Sequence, residues 1–163
     1  MIKEVQGDIL LTKAEMIAHS IAPMDHFENG LALSLREQYP EMVKDFRHYC
    51  HVHHPEPGAI FSWGNGNGKQ IVSLMAQEGP DSKHSHGTPG RATISYLDHS
   101  LKNLAKQVKK EDIKSLALPK LATGVGGLQW ADVRGLIQKN LGDLNIPVYL
   151  YTTYLKGQEA HEN

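Results

Sequence analysis

Short apolar runs alternate with longer stretches whose apolar residues recur at helical spacing. Runs typical of buried strands lie at residues 2–6, 16–21, 59–63, 70–75, 115–118 and 147–151. Helical spacing covers residues 31–39, a second segment that restarts at Pro40, residues 88–110 and residues 130–141. This alternation predicts one α/β domain with a largely parallel or mixed sheet.

Glycine, proline and polar residues mark the predicted connections. Five residues with three glycines, 64–68, predict a hairpin between the third and fourth strands. Residues 48–57 are polar and histidine-rich and lead to a turn at Pro57-Gly58, and residues 76–87 have little apolar content and are interpreted as a loop. Thr88 and Pro89 are suited to be the N-cap and first residue of the third long helix. We expect a domain over residues 1–156 and a frayed tail over residues 157–163.

Composition restricts the classes of function. The chain has 163 residues and a formal net charge of −1, which suits a single domain and disfavours a polyanion-wrapping or membrane-binding surface. A nucleic-acid binder is also disfavoured, because no aromatic-plus-basic patch is present. The only cysteine, Cys50, excludes an internal disulfide, and no window resembles a signal peptide or a membrane span. We therefore expect a cytoplasmic monomer without a bound cofactor.

The most distinctive stretch runs from the fifth predicted strand into the last predicted helix. Pro119 ends the strand, and Gly124, Gly126 and Gly127 follow in a loop that leads to a helix beginning near Trp130. Glycines let a backbone approach a ligand closely, and the N–H groups at a helix start favour phosphate. Strand-to-helix turns also use glycine for steric reasons alone, so both explanations stand at this point.

Several short motifs occur in a fixed order along almost the whole chain. They are Gly7-Asp8-Ile9, Ala18-His19-Ser20, Gly30-Leu31-Ala32, Tyr39-Pro40, Pro57-Gly58, Leu118-Pro119 and Gly124-Val125-Gly126-Gly127-Leu128-Gln129-Trp130. In this order the chain resembles the macrodomain family of ADP-ribose binders, and within it the branch of terminal ADP-ribose protein glycohydrolase. The resemblance implies a single macrodomain, with a mixed sheet of about six strands flanked by helices and ADP-ribose in a cleft at one end of the sheet.

The resemblance also implies roles for individual residues. Asp8 would accept a hydrogen bond from the adenine amino group and Ile9 would line the adenine pocket, although Asp8 also suits a simple turn. The implied ligand-binding residues are Asp8, Ile9, Ser20, Gly30, Leu31, Ala32, Thr123, Gly124, Val125, Gly126 and Gly127. His19 would lie near the cleft, but a lone histidine in an apolar strand also suits a hydrogen-bonded core position.

The chain departs from the glycohydrolase branch at its catalytic positions. Relatives carry a Thr-Lys pair where this chain has Ala76-Gln77, and an aspartate where it has Gly126. Glutamine cannot form a Schiff base and glycine has no acid–base group. The remaining catalytic candidates are His19, Lys83, His84 and His86, together with Gln77 and Glu78. The residues around His84 loosely resemble a loop in yeast-type ADP-ribose-1″-phosphate phosphatases.

The resulting prediction is a protein that binds ADP-ribose or a derivative, either an ADP-ribosylated protein or ADP-ribose-1″-phosphate. It would be a hydrolase of such a ligand or, alternatively, a non-catalytic reader of ADP-ribosylated partners. A separate cluster of five side chains, His48, Cys50, His51, His53 and His54, has the atom types that zinc prefers. No second ligand pair accompanies it, and histidines near a helix end also suit the helix dipole, so no metal site is predicted.

Overall fold

A computed structural model of the chain describes residues 1–80 and 90–163. Its strands are β1 (Ile2–Gly7), β2 (Met16–Ile21), β3 (Ile60–Gly64), β4 (Gln70–Met75), β5 (Leu116–Pro119) and β6 (Val148–Tyr154). Its helices are α1 (Gly30–Gln38), α2 (Pro40–His53), α3 (Ile94–Lys110) and α4 (Trp130–Leu141), with a 3-10 turn at Ile9–Leu11. In the described part of the chain, no helix is both long and apolar enough to cross a membrane.

The six strands form one mixed sheet in the order β1-β6-β5-β2-β4-β3. Neighbouring strands are parallel except for β3 and β4, which pair in antiparallel fashion. The predicted glycine hairpin joins that pair, and the Asn65 N–H donates to the Lys69 carbonyl across it at 3.0 Å. The prediction of an α/β fold with a mixed six-stranded sheet is confirmed.

Both faces of the sheet are covered, which explains why the central strands are apolar at nearly every position. Along β4, Val72 and Leu74 face a core that includes residues of α3 and α4. Ile71 and Met75 face the opposite core, which includes residues of α1 and α2. Each central strand therefore contributes alternate side chains to two separate cores.

The structure defines two helix boundaries, and the second differs from the prediction. Helix α2 continues through the start of the histidine-rich segment to His53, and His54 ends it in a left-handed conformation with φ of 47°. Helix α3 begins at Ile94 rather than at Pro89, because the Thr93 side chain caps it by accepting a hydrogen bond from the Tyr96 N–H. Thr88 and Pro89 lie outside the described residues.

Residues 157–163 are packed against the domain rather than frayed as expected. The Gln158 carbonyl accepts a 2.7 Å hydrogen bond from the Asp8 N–H. The Glu162 carboxylate accepts from the hydroxyl groups of Thr12 and Tyr151. The polar composition of this segment suggested disorder, but its polar groups have partners on the turn after β1 and on β6.

Candidate ligand-binding cleft

A cleft opens where β2 and β5 end, at the edge of the sheet where α/β folds usually bind ligands. Its first part is a cavity of about 290 Å³. It is lined by the end of β2, the start of α1, Gln77 and the loop that follows β5. A second cavity of about 440 Å³ adjoins it, because Gly30, Leu31 and Pro119 line both. The two cavities therefore form one elongated cleft.

The start of α1 presents backbone donors to this cleft. Gly30 has φ of 55°, a value that favours glycine, and Asn29 makes no side-chain cap. The first N–H with a helical acceptor is that of Leu33, which donates to the Asn29 carbonyl at 3.2 Å. The three preceding N–H groups, at residues 30–32, have no intrahelical acceptor. Together with the helix dipole, they favour an anion at this place.

The loop after β5 contributes a second set of donors. It is folded on itself, since the Leu128 N–H donates to the Ala122 carbonyl at 3.0 Å and the Gly127 N–H to the Gly124 carbonyl at 3.1 Å. Within the described ranges, the N–H groups of residues 123–126 have no acceptor. Ser20 anchors the loop to β2, because its hydroxyl accepts a 2.9 Å hydrogen bond from the Ala122 N–H. Ser20 thus positions the loop as well as lining the cavity.

Two glycines of this loop are glycine for different reasons. A Cβ atom on Gly126 would lie 2.6 Å from the Ala122 carbonyl oxygen, so the backbone leaves no room for a side chain. Position 126 is therefore closed to any larger residue without a shift of the loop. A Cβ on Gly124 would meet nothing within 4 Å, because that position faces open space. The steric explanation applies to Gly126 and not to Gly124.

The Asp8 side chain stabilises the turn that follows β1. Its side chain is 6% exposed, and one carboxylate oxygen accepts from the Leu10 N–H at 3.0 Å, which caps the 3-10 turn. The other oxygen accepts from the Gly157 N–H at 2.9 Å. Each carboxylate oxygen has a further lone pair, so Asp8 can still accept from a ligand. Its neighbours Gly7 and Ile9 line the larger cavity.

His19 both belongs to the core and borders the smaller cavity. The residue is 2% exposed, and its Nε2 lies 2.7 Å from the Ser73 hydroxyl. Its Nδ1 is buried and has no hydrogen-bond partner among the described residues. Burial lowers the pKa of His19 to about 3, so the imidazole is neutral near pH 7. A neutral imidazole donates one hydrogen bond from one ring nitrogen and accepts one at the other, but it cannot act as a cationic acid.

The other catalytic candidates are placed unevenly. Gln77 lines the smaller cavity, is 5% exposed, and donates from Nε2 to the Gly90 carbonyl at 2.9 Å. Glu78 accepts a 2.9 Å hydrogen bond from the Tyr96 hydroxyl. Lys83, His84 and His86 lie outside the described residues.

Sequence reasoning missed several cleft residues. Asp25, Asn29 and Lys120 line the smaller cavity, and Tyr151 and Tyr154 line the larger one. A usable signal existed for two of them, since Lys120 directly follows β5 and Tyr154 ends β6, and strand ends border such clefts. No comparable signal marks Asp25, since it lies in an irregular segment between elements. There its carboxylate accepts a hydrogen bond from the Phe27 N–H.

The histidine cluster does not converge on one point. Cys50 is fully buried, and burial raises the pKa of its thiol. His48, His51 and His53 are exposed on the outer side of the same helix. Among the described residues, no group of three or more His, Cys, Asp or Glu side chains could hold a metal ion. The spacing reflects an amphipathic helix, with Cys50 on its apolar face.

The sequence model of the Macro domain family matches residues 24–137, which include the start of α1 and the glycine loop. The chain belongs to the Macro domain family. In sequence, this macrodomain is 27% identical over 162 residues to a DNA ADP-ribosyl glycohydrolase of Thermus aquaticus, covering 99% of the chain and 43% of that protein. It is 23% identical to an ADP-ribose 1″-phosphate phosphatase of Lodderomyces elongisporus, covering 91% of the chain and 98% of that protein.

The chain spans about two-fifths of the length of the bacterial relatives that it matches. Its fold is similar to that of the macrodomain of Thermus aquaticus DarG, with a TM-score of 0.82 and 23% identity over 93% of this chain and 98% of the other. Thermosipho africanus DarTG, solved in complex with ADP-ribose, gives a TM-score of 0.79 and 22% identity over 97% of this chain and 42% of the other. These similarities are consistent with a macrodomain of the DarG-like branch.

Proposed function

We propose that this macrodomain binds the ADP-ribosyl unit of ADP-ribose or of an ADP-ribosylated macromolecule. The observation that carries the proposal is two sets of backbone N–H groups, at residues 30–32 and 123–126, that have no acceptor among the described residues and belong to the two segments lining one cavity. Such opposed donors suit a diphosphate, which has acceptor oxygens on both sides. A structural relative solved in complex with ADP-ribose supports the same ligand.

The two cavities suggest the orientation of the ligand. The larger one is mainly apolar, with Ile9, Tyr151 and Tyr154 in its wall, and suits an adenine ring. The diphosphate would lie between the two sets of donors, in the cavity that the exposed Lys120 also lines. The second ribose would then reach the inner end of the smaller cavity, near His19 and Gln77.

Calorimetric titration of the purified protein with ADP-ribose tests this proposal. We expect a single binding site per chain, with AMP competing more weakly because it lacks the second phosphate and ribose. Ribose 5-phosphate should also compete weakly. The absence of a binding heat at several temperatures, together with an unchanged Tm at high ligand concentration, would contradict the proposal.

Hydrolysis of the bound ligand is the second candidate function. It is favoured by the similarity in sequence to a DNA ADP-ribosyl glycohydrolase and to an ADP-ribose 1″-phosphate phosphatase. The reaction would be ADP-ribosyl hydrolysis or removal of the 1″-phosphate. A covalent lysine at position 77 and an aspartate at position 126 are not available in this chain. We therefore expect little cleavage of glutamate-linked ADP-ribose. A non-catalytic reader remains the alternative, and the lone buried cysteine supports a reducing, cytoplasmic compartment for either.

A product assay separates these functions. The substrates are ADP-ribose-1″-phosphate, mono-ADP-ribosylated protein and mono-ADP-ribosylated DNA. If turnover occurs, at least one of His19→Ala, His84→Ala and His86→Ala should lower kcat about 10²- to 10⁴-fold. A kcat equal to that of wild type in all three variants would contradict a histidine mechanism. An adduct trapped by borohydride and lost in Lys83→Ala would indicate a covalent lysine, and binding without turnover would favour the reader.

A further inference from the structure

We propose that residues 155–163, here called the strap, position the base-binding end of the cleft. This inference rests on the proposed function, because it concerns how that site reads the nucleobase. The strap crosses the Gly7-Asp8-Ile9 turn, which borders the larger cavity. None of its own residues lines that cavity. The strap would therefore act on the cavity indirectly, through hydrogen bonds to the turn at residues 7–9 and to Tyr151.

The first set of contacts fixes the turn itself. The Leu155 N–H donates to the Gly7 carbonyl at 3.1 Å, and the Asp8 N–H donates to the Gln158 carbonyl at 2.7 Å. A Cβ on Gly7 would lie 2.8 Å from both the Gln158 carbonyl oxygen and the Ala160 nitrogen, which shows how closely the strap packs there. These contacts limit the backbone positions available to the turn.

The second contact fixes the orientation of the Asp8 carboxylate. One of its oxygens accepts from the Leu10 N–H inside the turn, and the other accepts from the Gly157 N–H of the strap. The two donors lie on different segments, so the carboxylate plane cannot rotate without breaking one of these bonds. The lone pairs that remain free are consequently held in a fixed direction.

The third contact fixes one wall of the larger cavity. Tyr151 is 5% exposed and lines that cavity, while its hydroxyl donates to the Glu162 carboxylate of the strap at 2.5 Å. Burial and the adjacent Glu162 raise the pKa of Tyr151, so it remains a phenol and keeps donating. Glu162 also accepts from the Thr12 hydroxyl and the Lys13 N–H, which ties the strap to the segment after the turn.

The three contacts act on one end of the cleft only. Gly7, Asp8 and Tyr151 belong to the larger cavity or lie beside it, whereas the donors for the diphosphate are on α1 and on the loop after β5. Loss of the strap contacts should therefore change how the site reads the base and leave the phosphate donors in place.

The test uses Glu162→Ala in the full chain, with Glu159→Ala as a matched control. Glu159 is an exposed carboxylate of the same strap, and no hydrogen bond of its side chain is found within the described ranges. Each protein is titrated with ADP-ribose and with its hypoxanthine analogue, which replaces the amino group of the base by an oxo group. Wild type should prefer ADP-ribose, since a fixed carboxylate accepts from an amino group and repels a carbonyl oxygen.

We expect Glu162→Ala to weaken ADP-ribose binding about tenfold and to reduce the preference for it over the analogue, while Glu159→Ala matches wild type. Tyr151→Phe keeps the ring but removes one of the three hydrogen bonds to Glu162, so it should change affinity and base preference in the same direction as Glu162→Ala by a smaller factor. The double variant should be no weaker than Glu162→Ala. Far-ultraviolet circular dichroism checks that each variant is folded.

Three results would overturn the inference. These are an unchanged ADP-ribose affinity in folded Glu162→Ala, an equal loss for both ligands, and a wild type without base preference. An equal loss would indicate a purely structural strap. If wild type bound neither ligand, the proposed function itself would fail, which the wild-type titration shows separately.

Discussion

His19 loses its proton when the chain folds at mildly acidic pH. In the unfolded chain its pKa is near 6.5, whereas burial lowers it to about 3 in the folded protein. Between these values the unfolded chain binds the extra proton, so lowering the pH favours unfolding. The stabilising contribution is complete above pH 6.5 and is lost progressively as the pH falls toward 3.

We predict that His19→Gln removes this part of the acid sensitivity. The difference in unfolding free energy between pH 7 and pH 4 should be about 3 kcal/mol smaller in the variant than in wild type. Glutamine can still hydrogen-bond to Ser73, and the other nine histidines are common to both proteins. Urea unfolding at a series of pH values measures the difference. Parallel stability curves for the two proteins would show that His19 is protonated as easily when folded as when unfolded.

At Asp8, the prediction concerns affinity. Asp8→Ala should weaken ADP-ribose binding by about 1–3 kcal/mol, because a charge-assisted acceptor is lost in a closed site. Asp8→Asn retains one acceptor oxygen and should lose less. Asp143→Ala, an exposed aspartate away from the cleft, is the control. Calorimetry on folded proteins decides the matter, and an unaltered affinity in Asp8→Ala would remove Asp8 from the site.

The loop after β5 gives a prediction for a whole element. Gly124→Val should abolish ADP-ribose binding and keep the Tm within a few degrees, because its side chain would enter the space between the two sets of donors without meeting protein atoms. Gly135→Val, on the exposed side of α4, also adds a side chain in open space and should bind normally. A Gly124→Val variant that binds as wild type does would place the ligand elsewhere.

The elements that could be predicted from sequence are those with a clear apolar or helical periodicity and a nearby proline or glycine that ends them. β2 and α4 have the predicted bounds, because each is a continuous apolar or helical pattern that ends at a proline or glycine. No end of α2 could be predicted, because the exposed histidines in its last turns give no apolar period. The start of α3 was missed because Thr93 competes with the Thr88-Pro89 pair as a cap, and only the fold decides between them.

For the site, the sequence predicted which segments line the cleft but not the contacts that join them. The motifs placed Gly30 and Gly124 at one cleft, since both follow strands that end at the same edge of the sheet. Contacts between distant segments could not be predicted, because composition does not encode pairing. The bonds of Ser20 to residue 122 and of Asp8 to residue 157 are of this kind.

For the molecule as a whole, the central sheet links two cores, so neither should unfold alone. Leu101→Ala in α3 and Met42→Ala in α2 remove fully buried side chains on opposite faces, and each should cost about 2–5 kcal/mol. Val52→Ala, at a 55% exposed position of α2, should stay within about 0.5 kcal/mol of wild type. Circular dichroism and tryptophan fluorescence should report one transition in every variant. Separate transitions for the two faces would contradict this coupling.

The position of β1 at the edge of the sheet has a consequence for the order of assembly. Among the described strands its one neighbour is β6, so β1 cannot pair until this later strand of the same domain has formed. Closing so long a loop is slow compared with joining β3 to β4 through a hairpin. In refolding followed by pulsed hydrogen exchange, the amides of β4 should therefore be protected before those of β1. The turn at Gly7-Asp8-Ile9 follows β1, so the end of the cleft that this turn borders should become ordered late in refolding.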